Sequence, residues 1–136
     1  MDIYSQLRRD EGERKFPYKD TVGDTTIGVG RNLSADGLSE DEITLMLGND
    51  VKDTYDMLNH RLPWFGNLDP TRQGAIMNMA FNLGFNGLEK FPAMLAAMAK
   101  GDWEGAAREM LNSEWAGQVK DRAKRLANQI VTGAWT

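Results

Sequence analysis

Apolar residues recur about one helical turn apart through most of the chain, and this period predicts a mostly α-helical protein. A long helix is expected to begin at the capping box formed by Ser39 and Glu42 and to end before Pro63. The segment before it, "NLSADGLSEDE", has no room for an extra helix. The apolar stripe of the long helix consists of Ile43, Leu47, Val51, Tyr55 and Leu58.

Further helices are predicted in the second half of the chain. One starts at Asp69-Pro70, a capping residue followed by proline, and is expected to end at Gly84. A shorter helix is bracketed by Pro92 and Gly101. The next apolar face comprises Trp103, Ala106, Ala107, Met110 and Leu111. The last helix is expected to end at Gly133 and to carry Val119, Ala123, Leu126, Ala127 and Ile130.

The N-terminal region departs from this helical period. Asp2 and Gly12 have the character of the two ends of a short first helix. The following stretch "TVGDTTIGVG" has β-branched residues interrupted by glycines, which favours short strands joined at Val22-Gly23-Asp24. The sequence therefore predicts an α+β fold, mostly α, in one domain over residues 1–136. We expect a small β-hairpin lobe with its connecting helix at about 13–58, and a helical lobe from 1–12 and 59–136, with a cleft between them.

Composition narrows the classes of function. The 136-residue chain has no cysteine, which excludes disulfides, thiolate zinc sites and cysteine nucleophiles. Its single histidine, His60, follows a helical pattern and is interpreted as structural, so no metal and no cofactor is predicted. Sixteen basic residues are dispersed among twenty acidic ones, and this argues against nucleic acid as a partner. No apolar run approaches the length of a membrane span, so we expect no stable membrane association. We also expect the protein to be a monomer.

Two carboxylates flank the start of the predicted hairpin. Glu11 ends the first helix, where the helix dipole favours the protonated acid that glycosidic cleavage requires. Asp20 stands in a turn, "YKDT", that suits an ionised carboxylate, and Thr26 on the next strand has a hydroxyl that can hold a water. Two carboxyls and a positioned water are the minimal set for glycoside hydrolysis, although this spacing alone is also typical of ordinary surface charge.

The stretch "LRRDEGERKFPYKDTVGDTTIGVG" resembles the opening of the T-even phage type lysozymes, glycoside hydrolase family 24. That family carries Glu, eight residues, Asp, five residues and Thr, which Glu11, Asp20 and Thr26 match here. "AIMNMAFNLGFNGLEKF" resembles the family's central helix, and "WEGAA" and "DRAKRLANQIVTGAW" resemble its C-terminal helices. The resemblance covers nearly the whole chain and implies a lysozyme-like fold.

The resemblance implies a muramidase that cuts the β-1,4 bond between N-acetylmuramic acid and N-acetylglucosamine in bacterial peptidoglycan. Glu11 would be the general acid, and Asp20 with Thr26 would position the attacking water, inverting the anomeric carbon. An inverting pair has its carboxyl groups about 6.5–9.5 Å apart. By the same resemblance the protein would be a phage endolysin. It would collect in the host cytoplasm and reach the periplasmic wall after holin-type release.

Other residues take expected roles from the resemblance. Arg122, in "DRAKR", would pair with the catalytic Glu, and Phe81, Asn82 and Asn32 would contact substrate. Arg31 stands where close relatives have histidine, and an acidic residue such as Asp50 is expected to pair with it and tie the hairpin to the long helix. Since arginine does not titrate near neutrality, this pair should change stability little between pH 5 and 8.

Two alternatives stay open from the sequence. The chain is either an active hydrolase or a catalytically weak lysozyme-like module that binds glycan or builds part of a phage tail. The intact Glu11, Asp20 and Thr26 favour the hydrolase. A lytic transglycosylase on the same fold needs no hydrolytic water, so Asp20 and Thr26 argue against it.

Overall fold

The computed structural model describes residues 2–136 and confirms an α+β fold that is mostly α. The helices are α1 (Ile3–Glu11), α2 (Leu33–Asp36), α3 (Glu40–Arg61), α4 (Pro70–Leu88), α5 (Pro92–Lys100), α6 (Trp103–Leu111), α7 (Glu114–Val119) and α8 (Asp121–Thr132), with a 3-10 turn at Phe65–Asn67. The strands are β1 (Arg14–Lys19), β2 (Thr25–Gly28) and β3 (Arg31–Asn32). Within residues 2–136 none of these helices is long and apolar enough to cross a bilayer.

The chain divides into two compact units. The N-terminal unit ends at Leu47, and the C-terminal unit is Gly48–Thr136, so the boundary falls inside α3. The predicted lobe limits, with residues 1–12 assigned to the helical lobe, stay a prediction.

The N-terminal unit combines α1 with a three-stranded antiparallel sheet. The Asp2 side chain accepts a hydrogen bond from the Ser5 amide at 2.8 Å, and Gly12 ends α1 at a φ of 81°, as the sequence predicts. The strand order is β1-β2-β3, with a register irregularity in β1 between Arg14 and Tyr18. The β1–β2 hairpin was expected from the glycine-broken pattern, whereas β3 adds two residues that the pattern does not predict.

The segment after the sheet contains a short helix, so the expectation that it has no room for one is wrong. α2 forms a single turn because the Asn32 side chain caps it, accepting the Ala35 amide at 3.0 Å, and Gly37 ends it at a φ of 60°. The capping box that starts α3 is confirmed. The Ser39 amide donates to Glu42 Oε1 at 2.8 Å, and the Glu42 amide donates to Ser39 Oγ at 3.2 Å.

The C-terminal unit contains the hydrophobic core of the described chain. It draws on the second half of α3, the 3-10 turn and α4 to α8. Met77 packs against this core, and Met79, Met94, Met98 and Met110 lie within it, where the flexible thioether side chain fills irregular gaps. The largest fully buried side chains are Leu58, Phe65, Ile76, Met79, Leu88, Met94, Met98, Met110 and Ile130.

One predicted helix limit in this unit is confirmed only in part, and another is wrong. Gly84, with a φ of 69° and a ψ of 169°, interrupts α4 as expected, but the helix resumes after it and runs to Leu88. The predicted last helix is two helices, because Lys120 adopts φ 50° and ψ −111° between them. Val119 therefore ends α7 and does not belong to α8. A positive φ is costly for a residue with a side chain, so no sequence signal marks this break.

Candidate active site

Glu11 is the last residue of α1, and its carboxylate lies against the turn between β2 and β3. Glu11 Oε2 is 3.3 Å from the point where a Cβ on Gly30 would stand, and Gly30 has a φ of 74°. Any other residue at position 30 would be strained in its backbone and would crowd the carboxylate. The N-terminal unit thus holds an exposed acid group over the bare glycine backbone of this turn.

Asp20 follows β1 and organises the hairpin loop. Its Oδ1 accepts hydrogen bonds from the backbone amides of Val22, at 3.0 Å, and Asp24, at 2.8 Å. The second oxygen, Oδ2, has no hydrogen bond within residues 2–136. Asp20 therefore has one oxygen fixed by the loop and one available to a ligand or water.

Thr26 lies on the central strand of the sheet, opposite Tyr18 in β1 and Asn32 in β3. Its residue is 5% exposed, and its hydroxyl donates to the carbonyl oxygen of Asp24 at 3.2 Å. A hydroxyl whose proton is engaged in this way retains lone pairs that accept from a donor such as water.

Both polar atoms of the Asn32 side-chain amide form hydrogen bonds within the N-terminal unit. Its Nδ2 donates to Asp24 Oδ2 at 2.9 Å, while its Oδ1 caps α2 through the Ala35 amide. Asn32 thereby connects β3, the hairpin loop and α2. Its substrate contact stays a prediction.

Three other predicted site residues lie in the C-terminal unit. Phe81 is 48% exposed and lines a shallow depression of about 370 Å³. The Asn82 Oδ1 accepts the indole N–H of Trp115 at 2.8 Å. Arg122 donates from Nε to Asn78 Oδ1 at 2.8 Å and from Nη2 to the Asn78 carbonyl oxygen at 3.1 Å. The expected pairing of Arg122 with the catalytic Glu stays a prediction.

The Asn82 contact carries a testable stability effect. Asn82→Ala removes the acceptor of a nearly buried indole N–H, and we expect a loss of about 1–2 kcal/mol in the free energy of unfolding, measured in urea. Asn82→Asp keeps an acceptor oxygen and is expected to stay within about 0.5 kcal/mol of the parent. Equal stability of the parent and the Ala variant would mean that the indole needs no protein partner.

The acidic partner of Arg31 is Glu42, so the expectation of Asp50 is wrong. The guanidinium binds Glu42 in two parallel hydrogen bonds, Nη1 to Oε1 at 2.8 Å and Nη2 to Oε2 at 2.7 Å, and Nη1 also donates to the Gly37 carbonyl oxygen at 3.0 Å. The capping box holds Glu42 in the first turn of α3, within reach of β3. The pair does tie the sheet to the long helix, as expected.

The ion pair predicts a change of stability in acid. Arg31, then the Ser39 amide and hydroxyl, lower the pKa of Glu42 from 4.5 to about 2. Because the folded pKa is the lower one, the stabilisation is complete above pH 4.5 and is lost as the pH falls from 4.5 to 2. Glu42→Gln keeps an oxygen for the Ser39 amide but removes the charge.

We therefore expect Glu42→Gln to be less stable than the parent at pH 5–8, by a constant margin, and this margin to shrink towards pH 2. Thermal unfolding followed on the Tyr18 ring NMR signals reports the sheet directly. Glu40→Gln, in the same turn of α3 but without an ion pair within residues 2–136, is the control. A margin that is the same at pH 7 and pH 2 would contradict this account.

Comparison with known proteins identifies the relationship of this chain. The sequence profile of the family described as phage lysozyme matches residues 8–129, which include the last four residues of α1, the whole sheet and α8 up to Gln129. The chain belongs to the phage lysozyme family. Membership places it among the lysozyme-type glycoside hydrolases.

Relatives of this phage lysozyme family member include two proteins matched over nearly their whole length and one that is much longer than this chain. The probable T4-type lysozyme 1 of Dictyostelium discoideum is 31% identical over 167 aligned residues, covering 96% of this chain and 94% of the relative. The probable T4-type lysozyme 2 of the same organism is 27% identical, with 96% and 94% covered. The pre-baseplate central spike protein Gp5 of Enterobacteria phage T4 is 34% identical over 98% of this chain, which spans only 28% of the spike protein's length.

Proposed function

We propose that this protein is a phage endolysin that hydrolyses the β-1,4 bond between N-acetylmuramic acid and N-acetylglucosamine in bacterial peptidoglycan. The observation that carries the proposal is the juxtaposition within the N-terminal unit. The Glu11 carboxylate lies over Gly30 at the turn that ends β2, and Asp20 and Thr26 are joined through Asp24 on the same sheet. Two carboxyls held differently on one scaffold are what acid-assisted glycosidic cleavage requires.

In the proposed reaction Glu11 donates its proton to the glycosidic oxygen as the C1–O bond breaks. A water on the opposite face of the sugar attacks C1 and gives a proton to the free Oδ2 of Asp20. The Thr26 hydroxyl oxygen accepts a hydrogen bond from the same water and fixes its position. Attack opposite to the leaving group inverts C1, and a proton returns from Asp20 through solvent to Glu11.

The setting of the activity follows from the family resemblance. The enzyme would collect in the host cytoplasm as a monomer and meet the periplasmic wall after holin-type release, lysing the host. The roles expected for Arg122, Phe81 and Asn82, in addition to those of Glu11, Asp20 and Thr26, stay predictions. Neither nucleic acid nor a membrane is a proposed partner.

A second candidate is a lysozyme-like module of a phage tail device. The 34% identity to the Gp5 spike protein, across 98% of this chain, favours it. Such a module need not cleave the wall rapidly. The retained Glu11, Asp20 and Thr26 favour the hydrolase over a purely structural part.

The deciding experiment is digestion of purified Gram-negative sacculi with analysis of the released ends. The proposal expects clearing, new reducing ends of N-acetylmuramic acid, and first-formed products of inverted anomeric configuration by NMR. Anhydro ends would instead identify a transglycosylase. Binding to sacculi without any new ends would favour the structural module.

A further inference from the structure

The cationic side chains of the N-terminal unit fall into two groups. Residues 2–47 contain six of them, and three are engaged in ion pairs. Those pairs are Arg8 with Glu13 at 3.8 Å, Arg9 with Asp10 at 2.7 Å and Arg31 with Glu42 at 2.7 Å.

The other three cations all lie on β1. Arg14, Lys15 and Lys19 have no carboxylate partner within residues 2–136, although residues 2–47 contain ten acidic residues. All three are exposed. Three unpaired cations among six consecutive residues give this strand a local excess of positive charge in an otherwise acidic unit, and we call it the β1 cationic strand.

The side chains of this strand are arranged for contact with an anion. The Arg14 guanidinium stacks 4.3 Å from the centre of the Tyr18 ring, which fixes its plane and leaves its N–H groups without an acceptor in residues 2–136. Lys19 Nζ donates to Thr25 Oγ1 at 2.7 Å and retains two further N–H donors. Phe16, between the cations, is 79% exposed.

The β1 cationic strand is also adjacent to the proposed catalytic residues. Glu11 lies three residues before Arg14, and Asp20 follows Lys19 directly. β1 is an outer strand of the sheet, so one of its edges has no neighbouring strand in the part of the chain that the structure describes. A chain bound along β1 therefore lies beside both carboxylates.

We infer that the β1 cationic strand binds the free carboxylates of the peptide stems of peptidoglycan, while the glycan contacts the catalytic residues. This inference rests on the proposed function. A planar guanidinium binds a carboxylate through two parallel hydrogen bonds, and the lysines add point charges. Because the chain's net charge of −4 repels an anionic wall at long range, the strand acts at contact distance.

The test compares native sacculi with sacculi whose carboxylates have been converted to neutral amides by carbodiimide and ammonia. The variant is Arg14→Gln with Lys15→Gln and Lys19→Gln. The matched control is Lys100→Gln with Arg108→Gln and Arg125→Gln, three exposed cations of the C-terminal unit, which lowers the net charge equally. Cosedimentation with sacculi reports binding, and release of reducing ends reports cleavage.

We expect the β1 variant to bind native sacculi about tenfold more weakly than the parent, the sum of three exposed charge contacts. Amidation of the sacculi should weaken the binding of the parent and of the control by a similar factor, and it should leave the binding of the β1 variant unchanged. Arg14→Lys with Lys15→Arg and Lys19→Arg, which keeps the charges, should restore most of the binding. Equal losses in the β1 variant and its control, or equal sensitivity of parent and β1 variant to amidation, would overturn the inference.

The two proposals fail in different ways. Binding that depends on the β1 cations but yields no reducing ends would reject the hydrolase and keep the binding strand. If the β1 variant binds and cleaves sacculi as well as the parent does, the proposed hydrolase activity stands and the proposed binding by the β1 cationic strand is rejected. If the β1 variant loses affinity for vesicles of anionic lipid but not for sacculi, the strand serves a membrane and the inference is wrong.

Discussion

Glu11→Gln is expected to reduce the cleavage of sacculi by about 10²–10⁴-fold while leaving the fold intact. The amide has nearly the shape of the carboxyl, so its position over Gly30 is preserved. It cannot donate a proton to a leaving oxygen as an acid does, so the glycosidic bond breaks unassisted. The measurement is the rate of release of reducing ends at substrate saturation, with circular dichroism to verify the fold.

Glu13→Gln is the matched control for this prediction. Glu13 lies two residues further along and is exposed, and its one ion pair among residues 2–136 is a long one with Arg8 at 3.8 Å. The same loss of charge there should leave the rate within about twofold of the parent, because an exposed pair contributes little. A Glu11→Gln enzyme that cleaves at the parent rate would remove Glu11 from the chemistry.

The largest expected effect on stability is that of Phe65→Ala, about 3–5 kcal/mol in the free energy of unfolding. Phe65 is fully buried, and its ring contacts that of Tyr55 edge-to-face with centroids 5.6 Å apart. The 3-10 turn that carries it is further held by Gln73 Nε2, which donates to the Phe65 carbonyl oxygen at 3.1 Å. Truncation therefore leaves a cavity that a fixed backbone cannot close.

Tryptophan fluorescence is well suited to this measurement, because all four tryptophans lie in the C-terminal unit: Trp64, Trp103, Trp115 and Trp135. Phe16→Ala, at a phenylalanine that is 79% exposed, is the control and should change stability by less than about 0.5 kcal/mol. A loss below about 1 kcal/mol for Phe65→Ala would show that the core refills the space.

Much of the proposed catalytic framework was predictable from the sequence because its signals are local. Asp2 and Gly12 limit α1 by capping and by a positive φ, so Glu11 was correctly expected at the helix end. The glycines and β-branched residues around Thr26 were enough to predict β2. Each of these features depends on residues within one turn or one hairpin.

What the sequence did not predict depends on geometry between distant segments or on strain. Among several acidic candidates, only the three-dimensional path of the chain selects Glu42 for Arg31, although the capping box was a usable signal for its position. The Asn82–Trp115 hydrogen bond joins residues 33 positions apart, and no periodic pattern in the sequence indicates it. Lys120 breaks the last helix without glycine or proline, so its conformation follows from packing rather than propensity.

The outer position of β1 has a further consequence, for the behaviour of the protein at high concentration. An unpaired strand edge is a template on which a second copy of the chain can add its own strand. β1 resists this through Pro17, which lacks an amide proton, through the irregular register before Tyr18, and through like charges that repel an identical strand. Neutralising Arg14, Lys15 and Lys19 would thus remove a barrier to aggregation, so mutations in this strand affect solubility together with any effect on affinity.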